Sequence, residues 1–166
     1  MNNKNDSEVE QLSLEDVVSC VKGHLERAKY SITGVQENSV GANITAKKDK
    51  ENFIVEAVGE EKESSNAKQE KEILYAIGEI VRRMKKPDIW TLYGIAIPKS
   101  YLKHLKDFEI GGIKLLDFHL LIVENVWSLY HLDAKSTVEV VQNLKAGLPE
   151  RIVDLDIDFK NFDYTV

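Results

Sequence analysis

Ile54-Val55-Glu56-Ala57-Val58-Gly59-Glu60 sets one carboxylate inside an apolar run, and the other elements arrange themselves around it. Residues 52–57 have the β-branched and aromatic content of a strand. Two similar segments precede it, residues 30–35 and 42–46, separated by polar stretches such as residues 47–51. This spacing predicts three antiparallel strands joined by turns. Beyond the charged stretch 59–67, Ile73, Leu74, Ile77, Ile80, Val81 and Met84 recur on one helical face. They predict a helix over residues 66–85, with Pro87 just past its end. Residues 92–97 then form an unbroken apolar run stopped by Pro98, the signature of a strand buried on both faces in the middle of a sheet.

Toward the N-terminus, Ser13 followed by Asp16 gives a helix-capping signal, and Leu14, Val17, Val18, Val21 and Leu25 continue it as a helix over 14–28. Toward the C-terminus the pattern predicts a short helix over 100–108 and a strand over 115–123. A turn at Glu124-Asn125 leads into a strand over 126–131. Ser136 and Glu139 suggest a capping box for a helix that Gly147 and Pro149 end. Residues 152–159 alternate apolar side chains with Asp154, Asp156 and Asp158, as a half-exposed strand does. Residues 1–11 read as a flexible tail and 12–166 as a single domain. Such an order of elements is mixed α/β.

The chain has 166 residues, with 22 basic and 28 acidic side chains and a net charge of −6. A chain of this length buries about 70% of the surface its unfolded form exposes, so it folds without staples. Cys20 is the lone cysteine, which excludes an internal disulfide and a cysteine-rich zinc site and favours a reducing, cytoplasmic setting. Apolar stretches such as residues 120–123 fall far short of the roughly 20 residues a membrane helix needs, so no membrane partner is expected. Charge is uneven: seven basic residues (Arg82, Arg83, Lys85, Lys86, Lys99, Lys103, Lys106) face one acid, Asp88, between 82 and 106. Arg82, Arg83, Lys85 and Lys86 are candidates for phosphate contacts on nucleic acid. The same cluster also suits the C-terminal end of a helix.

Three strands, a long helix and a buried strand resemble the restriction-endonuclease-like fold of the PD-(D/E)xK nuclease superfamily. The residues that carry the resemblance are Gly41-Ala42-Asn43-Ile44, then the 54–60 run, Ala76-Ile77-Gly78-Glu79, and Tyr93-Gly94-Ile95-Ala96-Ile97-Pro98. The resemblance covers residues 14–131 and implies a mixed sheet flanked by helices, in αβββαβαββ order. In such nucleases two carboxylates hold a divalent ion that activates water against a phosphodiester. Period-two alternation brings a lysine two residues after the second acid to the same site, where it stabilises the transition state.

This chain departs from that pattern at two of three positions. Asn43 stands where the family has its first aspartate and Val58 where it has lysine, leaving Glu56. An amide offers a metal no charge, and an isopropyl group offers a phosphate nothing. The vestigial site candidates are therefore Glu56, Asn43 and Val58. Gln69 matches a glutamine that relatives carry on the long helix, and Lys68, with Lys62 and Lys71, is a candidate for a relocated lysine. Asp49 reads as part of a solvated turn and Glu26 as an exposed charge. The expectation is a non-catalytic protein on a nuclease-like scaffold, acting by binding protein or nucleic acid, with a homodimer among the candidates. No cofactor or metal is expected. The alternative is a divergent endonuclease using Mg2+ or Mn2+ and a relocated lysine.

Other constellations lack their minimum parts. His24, His104, His119 and His131 show no metal-ligand spacing and read as unrelated surface or packing residues. Cys20 reads as a buried inert thiol. No phosphate-cradling glycine loop or G-x-S-x-G elbow occurs. Trp90 and Trp127 border strands, where core or rim packing accounts for both.

Overall fold

The computed structural model describes residues 11–84 and 89–147. The expected N-terminal tail up to residue 10, Lys85, Lys86, Pro87 and the aspartate-bearing strand over 152–159 lie outside them. The elements are α1 (Leu14–Arg27), β1 (Ser31–Glu37), β2 (Ala42–Lys48), β3 (Glu51–Ala57), α2 (Asn66–Arg83), β4 (Thr91–Pro98), a 3-10 segment (Lys99–Asp107), α3 (Ile110–Leu116), β5 (His119–Asn125), β6 (Ser128–Leu132) and α4 (Ala134–Lys145). The strands form one sheet in sequential order, β1 to β6. β3 pairs with β4 and β4 with β5 in parallel, and the other pairs are antiparallel. β4 is therefore central, as its apolar run requires, and residues 94–98 are all buried.

Two cores sandwich this sheet. On one face α1 lays Val17, Val21 and Leu25, all fully buried, against Phe53, Val55, Ala57 and Leu121. On the other, Ile73, Ala76 and Ile80 of α2 join Ile95, Ile97, Tyr101 and the apolar face of α4. The valine, leucine, isoleucine and phenylalanine side chains among them each contribute roughly 1.5–3 kcal/mol when fully buried. The α1 cap is a reciprocal box: Asp16 N–H donates to Ser13 Oγ at 3.2 Å and Ser13 N–H donates to Asp16 Oδ2 at 2.9 Å. The residue before the box is fixed to the end of β3, with Leu12 N–H donating to Glu60 Oε2 at 2.7 Å. At that junction the backbones nearly touch. A Cβ on Gly59 would lie 2.2 Å from the Leu14 nitrogen, so only glycine fits. Among the described residues no helix is long and apolar enough to cross a membrane.

Several sequence expectations are corrected. Residues 115 and 116 close helix α3 and do not open β5, which begins at His119. Gly111-Gly112 hides this helix from propensity reasoning, and left-handed Asp117 (φ 48°) turns the chain out of it. Glu124 and Asn125 belong to β5, so the hairpin turn falls on Val126-Trp127. The N-cap of α4 is Asp133, whose carboxylate accepts from Ser136 N–H at 2.8 Å; Ser136 is inside the helix. Trp127 is 85% exposed and Trp90 50%, so neither is a core residue. Of the four histidines, His24, His119 and His131 are joined by hydrogen bonds. They are a connected group, not unrelated ones.

Candidate functional site

Glu56 lies on the α2 face of β3, in the same alternating set as Ile54 and Val58. Its carboxylate is buried, with the residue 1% exposed. The two-residue turn between β2 and β3 pairs Lys48 with Glu51, and this register puts Asn43 directly opposite Glu56. Asn43 Nδ2 donates to Glu56 Oε1 at 2.9 Å. From the β1–β2 turn, Asn38 Nδ2 donates to Oε2 at 3.2 Å. From the last turn of α2, Arg83 Nε donates to Oε1 at 3.1 Å. Glu79, one turn earlier and also buried, accepts from Arg82 Nη1 at 2.7 Å and lies 3.8 Å from Arg83 Nη2.

A carboxylate taken out of water must be paired and hydrogen-bonded, and these three donors meet that requirement. Burial pushes the Glu56 carboxyl above its ordinary value. The hydrogen bonds from Asn43 and Arg83 and the guanidinium charge work against that rise, and the Glu79 charge adds to it. Glu56 and Glu79 face Arg83 and Arg82, so the cluster is balanced without any added cation. A divalent metal would need oxygen ligands at about 2.0–2.6 Å. Asn43 turns its amide nitrogen toward the carboxylate, and Arg83 shares the same Oε1. The donor set suits a guanidinium and not a divalent ion.

The other candidates fall elsewhere. Val58 is 1% exposed in the apolar core with Ile73 and Ala76. Gln69 is aimed at the 3-10 segment, where His104 Nε2 donates to its Oε1 at 2.9 Å. Lys68 pairs with Glu61 on the surface, and Lys62 and Lys71 are exposed. Asp49 is an exposed turn residue in the left-handed region, and Glu26 is exposed. The polar contacts of Glu56 among the described residues thus come from Asn38, Asn43 and Arg83. Of the four residues offered as phosphate contacts, Arg82 and Arg83 are engaged by Glu79 and Glu56, and Lys85 and Lys86 lie outside the described residues.

Sequence reasoning took Glu79 only as part of the 76–79 stretch of the resemblance and not as a site residue, passed over Asn38, and read Arg83 as a phosphate contact or a helix-end charge. The signal was present. Glu72, Ala76, Glu79, Ile80 and Arg83 share one stripe of α2, so two acids and an arginine interrupt a face that otherwise packs against the sheet. Glu72 has its own partner, because Tyr101 Oη donates to its Oε2 at 2.8 Å. Beside Arg83 a cavity of about 290 Å3 opens, lined in part by Thr33, Thr45, Asn52, Thr91 and Tyr93.

Sheet order, the parallel β3–β4–β5 centre and helices on both faces define a mixed α/β protein of the architecture that the sequence resemblance implies. No protein-family model and no curated protein matches the chain. Among solved structures it is similar to a fdxN element excision controlling factor protein from Anabaena variabilis. The match has a TM-score of 0.51 and 18% identity, over 72% of this chain and 99% of that one. An XisH family protein from Nostoc punctiforme PCC 73102 aligns with a TM-score of 0.44 and 17% identity, over 73% and 98% of the two chains. At such identities the likeness is one of fold.

Proposed function

We propose that this chain is a non-catalytic protein on a nuclease-like scaffold, acting through its surface as a binding partner of another protein. The observation that carries the reading is the Arg83 guanidinium on the Glu56 carboxylate, which replaces with an internal ion pair the cation such a cleft would use. Metal-assisted hydrolysis needs two converging carboxylates and a group to stabilise the transition state; here the first acid is an amide and the lysine position is apolar core. The net charge of −6 favours a protein partner over nucleic acid. Phosphate binding is disfavoured because Arg82 and Arg83 already neutralise carboxylates. The fold neighbour's description as an excision controlling factor is compatible with a regulatory role of this kind.

Supercoiled and branched DNA incubated with the purified chain and Mg2+ or Mn2+ is expected to stay intact, and Glu56→Ala to be indistinguishable from wild type. Cleavage that disappears in Glu56→Ala would make the chain a divergent nuclease. Electrophoretic retardation of DNA at low salt tests the partner class. Retardation removed by reversing the charges of Lys85 and Lys86 would make nucleic acid the partner and overturn the preference for protein. Arg83 is left untouched there because its reversal would strip Glu56.

A further inference from the structure

On the sheet face opposite Glu56, three imidazoles from three elements form one continuous chain. His24 Nε2 of α1 lies 3.0 Å from His131 Nδ1 of β6, and His131 Nε2 lies 2.8 Å from His119 Nδ1 of β5. Phe53 of β3 packs against the group, with ring centroids 5.2 Å from His119 and 5.5 Å from His131. His131 spends both ring nitrogens on its neighbours. The three lone pairs therefore do not converge, and among the described residues no group of three ligands can hold a metal. What the geometry does provide is a set of hydrogen bonds that joins α1 to the β5–β6 edge and depends on the proton count.

We propose that the His24–His131–His119 chain is a pH-operated latch, which holds α1 against the β5–β6 edge while its imidazoles are neutral and releases it when they are charged. Proton bookkeeping gives the mechanism. Three neutral imidazoles carry three N–H protons: one for each of the two N–H···N bonds and one at an end of the chain. A single added proton goes to the other end, and both bonds survive. A second added proton has no end left. It must place two N–H groups face to face, which breaks a bond and leaves two of the three rings charged in an apolar layer.

The surrounding charges set the threshold. Arg27 on α1 opposes charging of His24, and burial opposes it for all three rings. Asp133 at the cap of α4, Asp117 before β5 and Glu51 on β3 favour protonation of His119, and Asp133 favours that of His131. Cys20 of α1 lies in the same core, with its thiol raised by burial. Tyr30, tilted over Phe53, has its hydroxyl raised by burial and by Glu51. Neither of these two gains charge in the acid range.

The test is hydrogen exchange of the full chain, resolved by segment and corrected for intrinsic rates, at pH 7.5 and in steps down to pH 4. The latch predicts that α1 amides lose protection by about tenfold or more at a pH where α2 and α4 are still protected, as local opening below the global transition does. His131→Gln and His119→Gln, which cannot gain the charge, are expected to shrink that change to less than about threefold. Two independent variants are used so that a folding defect in one leaves the other decisive. Loss of protection in α1, α2 and α4 together, an α1 that stays protected to pH 4, or the full wild-type change in the glutamine variants would each overturn the latch.

Discussion

Arg83→Ala is expected to destabilise the protein by about 2–4 kcal/mol at neutral pH, because it leaves a buried carboxylate without its countercharge. The loss is smaller than for a wholly buried pair because the Arg83 side chain is 32% exposed while Glu56 is 2%. Asn43 and Asn38 still reach Glu56 in the variant, so hydrogen bonding is reduced and not abolished. The charge, however, is uncompensated, and the carboxyl moves further above its ordinary value. A carboxyl raised by folding gives stability that is complete below its unfolded value near 4.5 and is lost as pH rises through its folded value. The deficit should therefore be largest near pH 7.5 and shrink toward pH 5. Glu56→Gln in the Arg83→Ala background removes the orphaned charge and is expected to recover most of the loss. Urea denaturation of the four proteins at both pH values measures this as a double-mutant cycle. An Arg83→Ala loss under about 0.5 kcal/mol, typical of exposed pairs, would mean that the ion pair is ornamental.

Acid should destabilise the opposite face. Burial holds His131 down to about 3 and His24 down to about 4, and holds His119 below its ordinary value too. These are depressed bases. Their unfolded forms take up protons near pH 6.5 while the folded forms stay neutral, so the unfolded state binds more protons throughout the interval. The associated stability is complete above pH 6.5 and is lost as pH falls, down to about 4 for His24 and about 3 for His131. Each group contributes a slope of about 1.4 kcal/mol per pH unit within its window. His24 and His131 together give a loss of roughly 3 kcal/mol per unit below pH 6, partly offset by Glu56, whose raised carboxyl acts in the opposite sense. Denaturation midpoints followed from pH 7.5 to 4.5 should fall steeply in wild type and far less in a His24→Gln, His131→Gln double variant. A flat wild-type profile would show that these imidazoles titrate as they do in the unfolded chain. This global slope is separate from the latch, which concerns the order in which segments open.

How much of this was legible in the sequence depends on whether the signal was local. β4 could be placed at the sheet centre because residues 92–97 have no polar face, and α1 could be bounded because Ser13 and Asp16 cap it within one turn. The pairing of Asn43 with Glu56 was implicit as well, since a tight turn at Asp49-Lys50 fixes which residues of β2 and β3 meet. Helix α3 was hidden by its paired glycines, and Asp133 was overlooked as a cap because Ser136 and Glu139 offered a more familiar spacing. The partners of Glu56 were harder. Asn38 approaches from a turn, and Arg83 lies 27 residues downstream on an element whose roll against the sheet is set by Ile73, Ala76 and Ile80. Local composition marked Arg83 only as one of a basic cluster. The histidine chain was the least visible feature, because His24, His119 and His131 come together solely through the docking of α1 on β5 and β6.

Manganese titration followed by paramagnetic broadening of side-chain amide and guanidinium signals tests the central claim most directly. A carboxylate occupied by Arg83 predicts that the Asn43 Nδ2, Asn38 Nδ2 and Arg83 Nε resonances stay sharp up to millimolar Mn2+. Selective broadening of those three signals at micromolar Mn2+, abolished by Glu56→Gln, would mean that the guanidinium yields to a metal and that the cleft can still assemble for catalysis.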